Sequence, residues 1–174
     1  MFERNKVKAL FRELGAESNN ALEALYDLCA RTLYGYAFVQ LRNREDAEDV
    51  VQEVFVKMMK TRTALKDVKN PQAYLLSIAH RTVVDIWRKR SEHSYEDEII
   101  DTREDERVSL PEKTAVNQAM AALSPEQRAA VYLREIEGMS FKETARVMNT
   151  NIFTAASRCR LGLKRLKKLL EVSE

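Results

Sequence analysis

The chain has 174 residues, 45% apolar and 32% charged, with a net charge of +2, only four Gly and three Pro. That size and apolar share exclude a wholly disordered chain and allow one substantial core or two small ones. Scarce Gly and Pro beside abundant Ala, Leu, Glu, Lys and Arg predict an all-α protein, and no apolar run nears the roughly 18 residues that cross a bilayer.

The start Met-Phe-Glu-Arg-Asn-Lys-Val-Lys lacks the apolar stretch of a signal peptide, so a cytosolic chain without membrane insertion is expected. A first helix is predicted from Leu22, Leu25, Tyr26, Cys29, Leu33, Tyr36 and Ala37, which recur at helical spacing behind Asn19 or Asn20 as N-cap. Arg42-Asn43-Arg44 breaks it, and Ala47, Val50, Val51, Val54, Phe55, Met58 and Met59 form the stripe of a second. Glu45, Asp46, Glu48, Asp49 and Glu53 crowd the start of this second helix, where the positive end of the helix dipole eases their repulsion. The acidic ridge is either a solvated face or a surface that docks on a basic protein.

Asn70-Pro71 reads as an N-cap followed by a first-turn proline, and the helix beyond it is expected to bury Leu75, Ile78, Ala79, Thr82 and Ile86. Its exposed positions are assigned to His80, Arg81, Arg88, Lys89 and Arg90, with Tyr74 and Trp87 nearby and Lys60, Arg62, Lys66 and Lys69 in the preceding loop. Cations interleaved with aromatics suit phosphates and unstacked bases; the plainer alternative is core packing of Trp87 with cations placed for the helix dipole.

Charge divides the chain into three. Residues 1–90 hold 16 basic and 12 acidic side chains, residues 91–115 hold 3 and 9, and residues 116–174 hold 10 and 6. The middle piece has little apolar periodicity and is expected to be a flexible acidic linker between two basic helical domains. Such a layout fits an extended partner gripped at two places, or a plain spacer.

Punctuation sharpens after the linker. Ser124-Pro125-Glu126-Gln127 combines an N-cap, a first-turn proline and a capping-box Gln, and Gly138 is the expected stop. Ser140-Phe-Lys-Glu143 is a second capping box opening a short helix that buries Phe141, Thr144, Ala145 and Met148. A turn at Asn149-Thr-Asn151 leads to a final helix from about Ile152. A short helix, tight turn and basic helix make a helix-turn-helix.

On the last helix, Ala155, Cys159, Leu163, Leu166 and Leu170 are predicted to face inward. Phe153, Ser157, Arg160, Leu161, Lys164 and Lys168 face the other way, flanked by Thr154, Arg158 and Arg165. Arg and Ser there suit base edges and phosphates. Phe153 either meets a thymine methyl, anchors an inhibitory protein or packs on the preceding helix. Cys29 and Cys159 lie on buried stripes without a CxxC or metal-ligand partner, so reduced core thiols are expected, with no disulfide, metal or other cofactor.

Leu22-Glu-Ala-Leu-Tyr26, Arg44-Glu-Asp-Ala-Glu-Asp-Val-Val-Gln-Glu-Val-Phe55, Tyr74-Leu-Leu-Ser-Ile-Ala79 with Asp85, Ser124-Pro-Glu-Gln-Arg128 and Glu137-Gly-Met-Ser-Phe-Lys-Glu-Thr-Ala145 follow one another along the chain. In this combination the chain resembles the extracytoplasmic-function (ECF) group of bacterial sigma factors over nearly its whole length. The resemblance implies an all-α, two-domain fold. Residues 1–90 would be region two, with Asp46, Asp49, Gln52 and Glu53 matching the motif that docks on the clamp helices of core RNA polymerase. It implies that Lys60, Arg62, Lys66, Lys69, Asn70, Tyr74, Ser77, His80, Arg81, Arg88, Lys89 and Arg90 hold the melted minus-ten strand. Residues 91–115 would be the linker threading the polymerase. Residues 116–174 would be region four, reading the minus-thirty-five element with Ser140, Lys142, Phe153, Thr154, Ser157, Arg158, Arg160 and Lys164.

His80-Arg81 stands where the family commonly has Arg-Asn, and Ala156 where a Lys commonly contacts phosphate, so the promoter preference does not carry over. The chain ends at Glu174, just past the helix-turn-helix, and no further sensing domain is expected. The resemblance implies core RNA polymerase and promoter DNA as partners, a cognate anti-sigma factor, and no catalytic chemistry. Two rivals remain on the sequence. One is a self-sufficient helix-turn-helix regulator, which would grip its operator without polymerase. The other is a metalloenzyme using Asp46, Asp49 and Glu53, which lacks the Glu-x-x-His of carboxylate-bridged bundles.

Overall fold

A computed structural model describes residues 3–16, 20–93 and 115–171. Eight α-helices account for nearly all of these, and there is no strand among them. Helix α1 (Arg4–Gly15) places Val7, Phe11 and Leu14 on one buried row. Spacings of four and three residues are helical, so α1 adds one helix to those the sequence predicts. Helix α2 (Asn20–Leu41) buries Leu25, Cys29, Leu33, Tyr36 and Ala37, as expected, while Tyr26 is exposed and rests on the Phe55 ring, 5.0 Å between centroids.

Arg42 turns the chain in a left-handed conformation at φ 51°, and Asn43 caps helix α3 (Arg44–Lys60) by accepting the Asp46 amide at 3.0 Å. The predicted break is therefore a two-residue connection between packed helices. A 3-10 turn over Arg62–Asp67 lies against α1, where a Cβ on Gly15 would come within 3.0 Å of the Lys66 amide. Asn70 Oδ1 accepts the Ala73 amide and Pro71 opens helix α4 (Pro71–His93), as the sequence predicts. Helix α4 runs through Ser91, Glu92 and His93, three residues into the segment expected to be linker. The rest of that segment, 94–114, and the Asn19 alternative for the α2 cap lie outside the described residues.

In the C-terminal unit, helix α5 (Ala115–Ala121) lies ahead of the Ser124-Pro125 cap signal. Ser124 caps helix α6 (Pro125–Val131), which widens into a π turn over Tyr132–Ile136 and stops at Gly138, φ 66°. Helix α7 (Phe141–Val147) opens on the expected capping box, with Ser140 and Glu143 each holding the other's backbone amide. Asn149 takes the left-handed turn at φ 49°, and Asn151 caps helix α8 (Ile152–Glu171) by accepting the Thr154 amide at 2.8 Å.

The inward seam of α8 is Ala155, Cys159, Gly162 and Leu166, whereas Leu163 is exposed, contrary to the expected stripe. Gly162 takes its place because α6 crosses there: a Cβ would meet Val131 Cγ2 at 2.7 Å. Both cysteines are free and buried, and burial pushes the Cys29 thiol up to about 12.

The two units are in contact, and buried side chains of both form one continuous apolar cluster. Tyr132 stands edge-on to Tyr36, 5.4 Å between centroids, over Gly35. Helix α7 lies on α4, with Asn70 donating to Glu143 Oε1 at 2.7 Å and the buried Gln72 amide reaching the Glu137 carbonyl at 3.2 Å.

Candidate docking ridge and nucleic-acid interface

Helix α3 shows solvent the row Glu45, Glu48, Asp49 and Gln52, with Glu53 half-buried beside it. Its opposite row is locked into the bundle, which fixes the direction of the ridge. Glu53 pairs with Lys57 at 3.2 Å, and a shallow apolar groove lined by Leu22, Phe55, Val56, Met59 and Lys60 runs alongside. Asp46 differs from the rest of the predicted docking set. It is half-buried and ion-paired with Arg90 of α4, so these two residues, assigned above to different partners, hold each other. Asp49 and Gln52 are thus the exposed members of that set. The three carboxylates of the metalloenzyme reading do not converge, and no cluster of metal-ligating side chains occurs among the described residues.

The basic surface around α4 is smaller than expected. Lys60, Lys66, Lys69, Arg81, Arg88, Lys89 and Arg90 are exposed, with Arg88 paired to Asp85 at 2.8 Å. Arg62 is corrected: it turns inward, and its Nε donates to the Leu14 carbonyl at 2.9 Å, closing the end of α1. Tyr74 is half-buried, edge-on to Phe11, with its hydroxyl 2.7 Å from Thr61 Oγ1, so it is held rather than free to stack. Ser77 is half-buried and donates to the Tyr74 carbonyl at 2.7 Å. Trp87 is partly buried against the core, as the plainer alternative had it.

His80 is the clearest correction, since it is 8% exposed rather than on the outer face. Its Nδ1 lies 2.7 Å from the Tyr36 hydroxyl, which is placed to donate to it. Burial, and then the charge of Arg158, push its pKa down to about 4, with Glu126 opposing. His80 points inward because its ring meets Tyr36 of α2, and the C-terminal unit packs on α4 through α7 and through the Gln72–Glu137 bond. The sequence carried a signal for this, because α4 has apolar side chains on two sides, Leu75 and Ala79 on one and Leu76 and Val83 on the other.

Sequence reasoning also missed Arg128. This buried guanidinium donates to the carbonyls of Met120, Ala121 and Leu123 at the end of α5 and to those of Gln40 and Val39 near the end of α2. One side chain therefore closes helix ends in both units. Glu137, also buried, accepts the Gln72 amide; burial pushes its carboxyl up, opposed by Gln72 and the charge of Arg4. Buried polar residues flanked by motif positions are hard to read as bridges without knowing which helices meet.

In the helix-turn-helix, Lys142, Phe153, Arg160 and Lys164 are exposed, Thr154, Ser157 and Arg158 half-buried. Helix α8 carries six cations and a single carboxylate, Glu171, which leaves its outer side strongly positive. Ser140 is exposed, but its hydroxyl is already engaged with Glu143, whose carboxyl is pushed up by burial and held below its ordinary range by the Ser140 amide and hydroxyl.

A cationic helix-turn-helix joined to a second helical unit defines the class of DNA-binding proteins to which this chain belongs. Residues 25–93 match Sigma-70 region 2 and residues 113–166 match Sigma-70, region 4. The chain belongs to the ECF group of sigma-70 factors. It is 29% identical to the ECF RNA polymerase sigma factor SigK of Mycobacterium sp. (strain KMS), over 99% of this chain and 94% of that one. SigX of Bacillus subtilis (strain 168) is 27% identical over 86% of this chain and 84% of its own. Among solved structures, the sigma factor RpoE of Bartonella quintana, in complex with the anti-sigma factor NepR, superposes with a TM-score of 0.72 at 25% identity, covering 87% of this chain and 98% of that chain. CnrH, solved with the cytosolic domain of CnrY, shares the fold with a TM-score of 0.69 at 21% identity, over 97% and 99% of the two chains.

Proposed function

We propose that this sigma factor docks on core RNA polymerase through Asp49, Gln52 and Glu53, with Asp46 set by Arg90, and performs no chemistry of its own. The observation that carries the reading is the α3 ridge, outward-facing on a helix whose other side is locked in the bundle, in the same chain as a cationic recognition helix. In this reading residues 1–90 are the docking and minus-ten unit, 91–115 the tether and 116–174 the minus-thirty-five unit. Lys60, Lys66, Lys69 and Asn70, with Tyr74, Ser77, Arg81, Arg88, Lys89 and Arg90, line the path of the unpaired strand. His80 and Arg62 support that surface from inside.

Helix α8 enters the major groove at minus thirty-five, its cations supplying phosphate affinity and base readout. Ser140 and Lys142 stand at the α7 side of that groove. The protein acts in the bacterial cytoplasm, where a protein inhibitor holds it as NepR holds RpoE.

The test is run-off transcription with core polymerase and genomic promoter fragments. Initiation above core alone is expected, and its loss on Asp49→Lys with Glu53→Lys, with helicity by circular dichroism unchanged. No added initiation from the wild type, or retained core binding by the double variant, overturns the reading. Tight binding to a specific duplex without polymerase would favour the self-sufficient regulator instead.

A further inference from the structure

Phe153 is the second residue of α8 and is 87% exposed, the most exposed of the large apolar side chains described. A phenylalanine facing water leaves a large apolar ring unburied. It opens the row that continues, at spacings of four, three and four residues, through Ser157, Arg160 and Lys164. That row lies opposite the buried seam of Ala155, Cys159, Gly162 and Leu166, so the ring points away from both helical units. No carboxylate occurs on α8 before Glu171.

A partner for this face must therefore be strongly anionic and yet offer an apolar spot at one end of the contact. Duplex DNA does both, because the 5-methyl group of thymine is the apolar feature of the major-groove floor between two rows of phosphates. Geometry agrees, since the N-terminal residues of the second helix in a helix-turn-helix are the ones that meet base edges. An acidic protein would satisfy the charge, but it would leave unexplained why the ring sits at the end of the helix that goes deepest into a groove.

We propose that Phe153 is a specificity-determining residue that selects thymine at one position of the upstream promoter element by packing on its methyl group. The inference rests on the promoter-recognition reading above and adds to it the group being read. Arg160 and Lys164, farther along the row, supply charge without requiring that base.

The experiment uses holoenzyme assembled from the full chain and core polymerase. Elements are first selected from a duplex library randomised in the upstream half-site. Each thymine in the winning element is then replaced by deoxyuridine, which removes the methyl and leaves the hydrogen-bonding edges intact. With wild-type protein, one such replacement should weaken promoter binding about fourfold, as expected for a single buried methyl. Phe153→Ala, an exposed position whose folding is checked by circular dichroism, should bind thymine and deoxyuridine equally at that position. Phe153→Leu should recover part of the preference.

The inference is overturned if wild type is indifferent to every methyl, or if Phe153→Ala keeps the full preference. It is also overturned if Phe153→Ala selects the same element unchanged while losing affinity for an inhibitor protein, which would make the ring a protein anchor. A wild-type holoenzyme that selects no element defeats the promoter reading itself, a different result from selection without methyl dependence.

Discussion

His80 shows how one buried side chain links protonation to the arrangement of the whole chain. It accepts from Tyr36 and is flanked by Arg158 and Glu126 of the other unit, so its neutral form is the one the packed structure holds. An unfolded imidazole titrates near 6.5, whereas the folded one is pushed down to about 4. The native state therefore binds fewer protons in that window, and the stability His80 contributes is complete above about pH 6.5 and is lost as pH falls toward 4. The shift corresponds to on the order of 3 kcal/mol. Urea unfolding of wild type and His80→Gln, followed from pH 7.5 to 4, should give curves whose difference in stability changes through that window, with carboxylates common to both cancelling. Parallel curves would show that the imidazole is already charged or exposed.

Helix ends tie local sequence to packing. Asn43, Asn70, Ser124, Ser140 and Asn151 all accept the amide three residues on, and each belongs to a break or cap pattern visible in the sequence. Caps are legible because their physics is local: the side chain and the amide it satisfies are three residues apart. The helix-turn-helix was readable for the same reason. The side chains that close α1 and α2 were not, because Arg62 reaches α1 across 48 residues and Arg128 reaches α2 across 88. Neither reach has a sequence period, and both residues looked like surface cations or motif members. The substitution that tests this is Arg128→Met, which keeps the aliphatic volume and removes every donor. It should destabilise the full chain by about 3 kcal/mol in urea, since five carbonyls lose a charged partner. A loss under 1 kcal/mol would mean that water replaces the guanidinium freely.

At the scale of the molecule, the contact between the two units is apolar like the seams inside them but carries more polar side chains. Within α2 and α3 the packed rows are apolar, whereas the contact between units draws on Asn70, Gln72, Arg128, Glu137 and Glu143 as well as on Tyr36 and Tyr132. Contacts that mix polar and apolar groups in this way are typical of units that separate. Separation also bears on function, because Asn70, which belongs to the proposed minus-ten path, is held by Glu143 of α7 in this arrangement.

Gly35 offers a way to shift the balance without touching either core. On α2 it has room for a Cβ except toward the Tyr132 hydroxyl, 3.1 Å away in the other unit. Gly35→Leu should therefore favour the α2 helix itself by about 1 kcal/mol while wedging the units apart. Small-angle scattering should show the radius of gyration of the variant rise above the wild-type value, which for a compact chain of this length is roughly 16 Å. Unchanged helicity together with a larger radius would establish that the units come apart intact. An unchanged radius would mean that the Tyr132 ring swings aside and the contact is tighter than its polar composition implies.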